Sequence, residues 1–244
     1  AKSNVSEWAG GHTFNSVNGL TRNLWDISKS AGGSSGGSAS ALASGQVFLA
    51  TGNDLGGSLR TPAGFNGVVG LRPSPGLIPR GDRYMPFDTL WVEGPMARNV
   101  EDIALILDSM VGHHIGDPLS FNSKTGFFIE SLKKDSNPTS IAVSEDLNLV
   151  PVDSEVRKVF RTAIDNLSKN GLEINDDIPD FSGVLDAFKT LRGVLMASML
   201  GDLVKAHKNS ILEDIRKNVQ VGFDAKSLDI IEAEKIRKKL TINM

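Results

Sequence analysis

The sequence predicts an α/β fold in which strands and helices pack in layers. Short apolar runs that suit buried strands alternate with longer segments of helical periodicity, and this alternation favours a layered architecture. Hydrophobic residues make up 40% of the 244 residues and charged residues 23%, as in domains that bury a core. Glycine is unevenly spread, since 16 of the 25 glycines lie in residues 1–81. The same region holds only 9 charged residues, although the whole chain has 26 basic and 29 acidic ones. The first third of the chain is therefore chemically distinct.

Composition excludes several functional classes. The formal net charge of -3 argues against a general binder of nucleic acid or of anionic membranes. Because cysteine is absent, the chain has no disulfides, no thiol nucleophile and no cysteine-ligated metal. No apolar stretch reaches the roughly 18 residues that span a bilayer, and the first residues lack the features of a signal peptide. We therefore expect a cytoplasmic location without a membrane partner.

The first third combines loops with a few short elements. Two apolar runs, Gln46–Ala50 and Gly67–Leu71, suit buried strands. The small residues of Ser38–Gly45 can pack tightly as a helix. The remaining residues of this region are rich in glycine, serine and asparagine, which are typical of turns.

A helix is predicted over Val100–Val111. Asn99 can cap its N-terminus, acidic residues occupy its first turn, and its apolar residues recur at helical spacing. Gly112 ends it. The polar segment Gly112–Asn137 is interpreted as a long connection.

The remainder of the chain alternates strands and helices. Asp153 is expected to cap a helix over Ser154–Asn170, and Gly171 stops it. The apolar residues expected on one face of this helix are Val156, Val159, Phe160, Ala163, Ile164 and Leu167. The other predicted elements are strands at Ser140–Ser144 and Leu172–Ile174 and helices at Ser182–Ala206 and Lys226–Leu240. We expect one incomplete domain, with a glycine- and serine-rich catalytic core in residues 1–112 and a remainder in 113–244 that is cut at its C-terminus.

Two glycine-serine segments carry the strongest chemical signal. Gly32–Ser38 reads Gly-Gly-Ser-Ser-Gly-Gly-Ser, and a second glycine pair precedes Ser58, 24 positions after Ser34. Because glycine has no Cβ, consecutive glycines let backbone N–H groups converge on one point, and such a nest can hold an oxyanion. A serine at its edge can attack a carbonyl while the N–H groups stabilise the developing charge.

A serine nucleophile also needs a base. None of the four histidines lies in the sequence context of a triad, and the carboxylates near the serines reduce to Asp26 and Asp54. The remaining option is a lysine kept neutral by desolvation, which passes protons through an intervening hydroxyl. With no His-x-x-x-His pair and no carboxylate cluster, we predict neither a metal nor a cofactor. The four histidines, His12, His113, His114 and His207, are interpreted as ordinary polar residues.

Five ordered blocks occur within the first 112 residues. They are Gly-His-Thr-Phe-Asn at 11–15, Gly-Gly-Ser-Ser-Gly-Gly-Ser-Ala at 32–39, Gly-x-Asp-Leu-Gly-Gly-Ser-Leu-Arg at 52–60, Gly-Val-Val-Gly-Leu-Arg-Pro-Ser-Pro-Gly at 67–76 and Gly-Pro-Met-Ala-Arg at 94–98. Together they closely resemble the amidase signature family, densely over residues 2–112 and more loosely to about residue 160. The resemblance implies the amidase signature fold, a mixed sheet surrounded by helices.

The resemblance also implies a Ser-cisSer-Lys triad that hydrolyses small-molecule amides. Ser58 matches the nucleophile, and Ser34 matches the serine that follows a cis peptide bond and relays a proton to the leaving amine. The backbone N–H groups of Leu55, Gly56 and Gly57 match the oxyanion hole.

Three further residues are expected to support this site. Asp54 and Arg60 flank the nucleophile and are expected to hold its loop by hydrogen bonds, while Ser35 is interpreted as mainly structural. Without the resemblance, Ser58 could be a turn serine and Ser34 a helix cap.

In the family, the catalytic lysine lies upstream of the block that Lys2-Ser3-Asn4 resembles. We therefore expect the chain to be a fragment that is inactive or nearly so by itself, taken from an active amidase that could form a homodimer. One alternative is the glutamine-hydrolysing subunit of a transamidation complex, which usually carries threonine where this chain has Leu55. The other is a catalytically dead scaffold.

Overall fold

The computed structural model describes residues 2–8, 10–81, 83–123, 126–134 and 138–244. Its strands and helices are, in chain order, β1 (Phe14–Asn15), β2 (Gly19–Leu20), α1 (Gly36–Ala43), β3 (Leu49–Asp54), α2 (Arg60–Asn66), β4 (Val69–Gly70), β5 (Val92–Ala97), α3 (Val100–Met110), α4 (Phe127–Ser131), β6 (Ser140–Ala142), α5 (Ser154–Lys169), β7 (Glu173–Asn175), α6 (Val184–Ala206), α7 (Glu213–Asp224) and α8 (Ser227–Asn243). The α/β class predicted from the sequence is confirmed.

The chain divides into two compact units. The first contains Ala1–Lys134 and Ser198–Val219, and the second contains Asp135–Ala197 and Gln220–Met244. Of the three boundaries, one lies between residues 134 and 135, and the other two fall within α6 and α7. The single domain with a division at residue 112 stays a prediction.

A three-stranded antiparallel sheet lies in the first unit, with β5 between β3 and β4. The strand β3 pairs with β5 along its whole length, so that Leu49 lies opposite Ala97 and Asp54 opposite Val92. On the other edge of β5, Gly70 lies opposite Met96. The strands β1 and β2 form a separate short hairpin.

Pro95 limits the pairing between β4 and β5. The N–H of Leu71 donates to the carbonyl oxygen of Pro95 at 3.1 Å, but proline has no N–H with which to return a bond. The ladder therefore ends after Gly70. The Gly-Pro pair inside β5 is typical of a turn, and this explains why the sequence pattern did not predict the central strand.

The core of the first unit forms where α1 and α2 pack against the sheet. Glycines let the side chain of Leu59 enter between the layers: a Cβ at Gly94 would lie 2.4 Å from Leu59 Cδ1, and one at Gly52 would lie 2.9 Å from Leu59 Cδ2. Larger residues would displace the buried leucine. The buried cluster comprises Ala39, Leu42, Leu59, Ala63 and Met96.

The capped helices agree best with the sequence prediction. In α3, the Asn99 side chain accepts the N–H of Asp102 at 2.7 Å, and in α5 the Asp153 side chain accepts the N–H of Glu155 at 2.8 Å. Both N-caps are confirmed, as is the glycine stop after α5, where Gly171 has a φ of 91°. The predicted helices that correspond to α6 and α8 are found with ends shifted by up to three residues.

Shorter elements agree less well. The predicted strand Gln46–Ala50 overlaps the observed β3 only at Leu49 and Ala50. The observed strand begins later and continues to Asp54. The helix predicted to begin at Ser38 begins at Gly36 instead. The elements α2, α4, α7, β1 and β2 were not predicted. The predicted connection Gly112–Asn137 contains α4, and its residues 124, 125 and 135–137 lie outside the described residues.

The second unit contains a parallel pair of strands, β6 and β7, joined through α5. Arg157 and Arg161 of α5 form ion pairs with Glu145, which follows β6. The apolar residues predicted on one face of α5 are not buried: Val156 is 58% exposed and Val159 is 71% exposed. Periodicity predicted the helix correctly, but none of the apolar residues on this face is buried in the part of the chain that the structure describes.

Candidate active site

The two glycine-serine segments meet in the first unit. The N–H of Ser35 donates to the carbonyl oxygen of Ser58 at 3.3 Å. Ser34 is 7% exposed and Ser58 is 8% exposed. The peptide bond between Gly33 and Ser34 is cis, which agrees with the position that the family resemblance implies. Ser35 and Ser58, 23 positions apart in the chain, are thus brought together.

Glycines in the Gly32–Gly37 run admit a neighbouring segment at close range. A Cβ at Gly33 would lie 2.7 Å from backbone atoms of His12, and one at Gly36 would lie 2.4 Å from Thr13 Oγ1. At Gly37, an added Cβ would lie 2.1 Å from the carbonyl oxygen of Asn4. Any side chain at these three positions would collide with residues 4–13. Close approach is therefore a structural reason for this run of glycines.

The hydroxyls of Ser34 and Ser58 are available for chemistry. Within the part of the chain that the structure describes, neither Oγ atom forms a hydrogen bond. A buried or half-buried hydroxyl is normally satisfied by a partner, so two such groups suit a site whose partners come from a substrate or a base.

Asp54 organises the turn that carries Ser58. The carboxylate is fully buried and accepts the N–H of Gly57 at 2.8 Å and the N–H of Leu59 at 3.3 Å. Arg60 donates two further bonds, from Nε and from one terminal nitrogen, each at 3.0 Å. The supporting roles predicted for Asp54 and Arg60 have a clear geometric basis: one carboxylate fixes the residues on both sides of Ser58.

Arg72 is a further contact of Asp54 that sequence reasoning did not single out. It donates to the Asp54 carbonyl oxygen and, at 3.3 Å, to its carboxylate, and it also donates to the carbonyl oxygen of Leu90 at 3.0 Å. It therefore ties the turn that carries Ser58 to the residues that precede β5. Its position in the block at 67–76 is the only sequence signal that could have indicated it.

Burial and neighbouring charges shift the pKa values of Asp54 and Arg72. Burial by itself would raise the pKa of Asp54, but the hydrogen bonds from Arg60, Gly57 and Leu59 outweigh burial and hold this pKa below its ordinary value. Burial lowers the pKa of Arg72, and the attraction of Asp54 opposes the change. Asp54 is therefore an ionised anchor rather than a general base.

The predicted oxyanion donors differ from one another in their hydrogen bonding. Gly57 has a φ of 113° and donates its N–H to Asp54. No described residue accepts a hydrogen bond from the N–H of Leu55 or of Gly56. These two groups remain able to stabilise negative charge, whereas the Gly57 N–H holds the turn.

Ser35 has a packing role in the structure. It is 3% exposed, and its hydroxyl lies 3.5 Å from the carbonyl oxygen of Asn53. A Cβ at Gly52 would lie 2.5 Å from Ser35 Oγ, so this serine fills the space above the strand. It precedes α1 without capping it through its side chain.

A cavity of about 1050 Å³ also lies in the first unit. It runs along the edge of β3 that has no strand partner among the described residues, and Lys2–Val5 and α1 form its other walls. Ser35 lines it, whereas Ser34 and Ser58 do not. We therefore do not assign this cavity to the serine pair.

The described residues contain no group of three or more histidine, aspartate or glutamate side chains placed to hold a metal ion. Among the same residues, no helix combines the length and apolar character needed to cross a bilayer.

Comparison with known proteins gives the family. The sequence profile described as Amidase matches residues 1–242. The chain belongs to the amidase signature family. The A-type subunit of the glutamyl-tRNA(Gln) amidotransferase of Cyanothece sp. (strain PCC 7425) is 40% identical over 176 residues, which cover 72% of this chain and 36% of that relative.

Solved amidase signature structures have the same fold. A bacterial aryl acylamidase is 27% identical with a TM-score of 0.83, covering 94% of this chain and 49% of its own. A 6-aminohexanoate cyclic dimer hydrolase complexed with substrate is 26% identical with a TM-score of 0.83, covering 98% of this chain and 53% of its own. The present chain thus spans about a third of the curated relative and about half of each solved relative.

Proposed function

We propose that the protein hydrolyses a small carboxylic amide through a serine acyl-enzyme. The observation that carries this proposal is the contact between the two serine segments, in which the N–H of Ser35 donates to the carbonyl oxygen of Ser58. It brings two hydroxyls without described partners next to a turn with two free N–H donors. Such an arrangement suits nucleophilic attack on a carbonyl, followed by stabilisation of the oxyanion.

In the proposed reaction, Ser58 Oγ attacks the amide carbonyl carbon as its proton passes to Ser34. The N–H groups of Leu55 and Gly56 stabilise the oxyanion of the tetrahedral intermediate, while Gly57 keeps the turn in place through Asp54. Collapse of this intermediate breaks the C–N bond, and the amine leaves with a proton supplied through Ser34. Water then attacks the Ser58 ester and releases the acid. The proton acceptor behind Ser34 is the lysine that the family resemblance implies upstream of residue 1.

A fluorophosphonate probe tests the nucleophile in the protein from the complete reading frame. We expect the probe to label wild type, Ser58→Ala to lose both labelling and amide hydrolysis, and Ser34→Ala to lose most of the hydrolysis. Ser109→Ala is a matched control, because Ser109 is an exposed residue of α3 and donates only to the Leu105 carbonyl oxygen. Retained turnover in Ser58→Ala would overturn the assignment.

The amidotransferase relatives support a second candidate, a glutamine-hydrolysing subunit. The 40% identity with the Cyanothece protein exceeds that of the solved hydrolases, whereas Leu55 departs from the threonine usual in such subunits. Ammonia release from glutamine, compared with release of aniline from an aryl amide, separates the two reactions. Absence of both activities in the complete protein would favour a catalytically dead scaffold.

Three narrower predictions belong with this proposal. The isolated 244-residue chain is expected to show little or no hydrolysis, because it does not supply the expected lysine, and comparison with the complete protein checks this. A homodimer would appear as twice the chain mass in sedimentation equilibrium. A cytoplasmic location can be checked by cell fractionation.

A further inference from the structure

The Thr13 hydroxyl contacts three backbone groups of the Gly32–Gly36 loop that carries Ser34. The side chain is fully buried. Its Oγ1 lies 2.9 Å from the carbonyl oxygen of Gly32 and 3.2 Å from that of Ser34, and it accepts the N–H of Gly36 at 2.9 Å. The Thr13 hydroxyl shares its single proton between the carbonyl oxygens of Gly32 and Ser34, while its oxygen accepts the N–H of Gly36. Both sides of Ser34 are therefore fixed by one atom.

The loop is shaped to receive this side chain. A Cβ at Gly36 would lie 3.0 Å from Thr13 Cβ as well as 2.4 Å from its hydroxyl oxygen. Because the space is filled on all these sides, the hydroxyl has little freedom to choose other partners. Removing it would leave a buried N–H and a buried carbonyl unsatisfied, which is far more costly than losing an exposed hydrogen bond.

Thr13 is itself held by an adjacent hairpin. Its carbonyl oxygen accepts the N–H of Thr21 at 2.9 Å, and the next residue, Phe14, pairs with Leu20 in the hairpin of β1 and β2. The Asn4 side chain donates to Thr21 Oγ1 at 2.9 Å. The contact between Thr13 and the loop therefore rests on fixed backbone, as a positioning contact requires.

We propose that Thr13 is a positioning residue for Ser34. Its hydroxyl holds the backbone on both sides of Ser34 so that the serine side chain stays aligned with Ser58 during proton transfer. This inference rests on the proposed function, because alignment has a kinetic meaning only if Ser34 relays protons. Thr13 touches neither the reacting atoms nor the substrate in this scheme, so it acts only through the loop.

The first test replaces Thr13 by valine and by serine in the complete protein. Valine keeps the branched shape and removes the hydroxyl, whereas serine keeps the hydroxyl. With active sites counted by fluorophosphonate, we expect Thr13→Val to lower kcat by about 10- to 100-fold with little change in KM, since small misplacements of catalytic groups cost this much. Thr13→Ser should stay within about threefold of wild type.

Two further variants separate positioning from a general loss of stability. Asn99→Ala lowers stability by removing the N-cap hydrogen bond of α3 without touching the Gly32–Gly36 loop, and its kcat per counted site should match wild type. In a Ser34→Ala background, adding Thr13→Val should lower kcat no further, because residues that act as one unit are not additive. An unchanged kcat per site in Thr13→Val, or full additivity with Ser34→Ala, would overturn the proposal.

Hydrogen exchange distinguishes this inference from the proposed function. The Gly36 amide should exchange faster in Thr13→Val than in wild type or Thr13→Ser, whether or not any amide is hydrolysed. Wild type could hydrolyse no substrate while the backbone N–H of Gly36 still exchanges faster in Thr13→Val. That result would contradict the proposed function but support the contact between Thr13 and the loop. If the Gly36 amide exchanges equally in all three proteins, the Thr13 contact does not fix the loop and the inference is wrong.

Discussion

The backbone N–H of Ser35 donates to the carbonyl oxygen of Ser58, 3.3 Å away, and so joins the two glycine-serine segments directly. Around this bond the backbone is fixed from both sides, by the Thr13 hydroxyl on the Ser34 loop and by the Asp54 carboxylate on the Ser58 turn. The site is therefore built mainly from backbone contacts. Substitutions that disturb these contacts are therefore expected to lower activity or stability even when both serines are kept.

Gly36→Ala tests the close approach of Thr13. The new Cβ would lie 2.4 Å from Thr13 Oγ1, so we expect about 1–3 kcal/mol of destabilisation in urea unfolding. The matched control is Gly64→Ala in α2, where an added Cβ meets nothing within 4 Å. That change should stabilise by about 0.5–1 kcal/mol, because alanine favours a helix over glycine. Equal effects of the two variants would contradict this account of the glycine run.

Asp54→Asn should lower both stability and activity. The variant leaves Arg72 and part of the Ser58 turn without their anionic partner, and we expect a loss of about 2–3 kcal/mol in urea unfolding near neutral pH. Hydrolysis per active site should fall as well, because Gly57 and Leu59 lose the carboxylate that orients them. Asp26→Asn, at an exposed ion pair with Lys29, is the control and should change the urea midpoint little.

The same carboxylate predicts a pH dependence. Since the folded pKa of Asp54 lies below its ordinary value of 3.8, its contribution to stability is present above that value and is lost as the pH falls through the lower folded pKa. The difference in unfolding free energy between wild type and Asp54→Asn should therefore shrink as the pH drops below about 4. A difference that stays constant down to pH 2 would show that Asp54 does not act as an ionised anchor.

Glu93 predicts a pH dependence of stability that is opposite to that of Asp54. Burial raises the pKa of Glu93 above its ordinary value of 4.5, although Arg80, at 3.3 Å, opposes the change. Its contribution to stability is thus fully present below the unfolded pKa and is lost as the pH rises through the raised folded pKa. Relative to Glu93→Gln, wild type should lose stability as the pH rises above about 4.5. Parallel unfolding curves across pH 4–8 would contradict the raised pKa.

Asn99→Ala tests a helix end that the sequence alone indicated. Removing the side chain that accepts the Asp102 N–H at 2.7 Å should cost about 1 kcal/mol in thermal or urea unfolding. Asn99→Ser retains a capping oxygen and should recover most of this loss. Equal stability of the alanine and serine variants would mean that the cap contributes nothing to α3.

Local signals predicted the parts of the fold that local chemistry decides. Caps at Asn99 and Asp153, a glycine stop and helical periodicity located α3 and α5, since each depends on residues within one or two turns of the helix. The strand β5 was not predicted, because its Gly-Pro pair locally disfavours a strand. In the structure this pair lies where the pairing with β4 ends. The exposed apolar face of α5 shows the same limit, because periodicity cannot say what a face packs against.

The sequence by itself determined the residue types and spacing of the site, including the family to which Ser34 and Ser58 pointed. Only the tertiary structure decided how those residues are held. The contacts of Thr13 and Arg72 with the site join residues that are 23 and 18 positions apart in the chain. Hydrogen bonds of this kind are set by the packing of distant backbone, which a linear pattern does not encode.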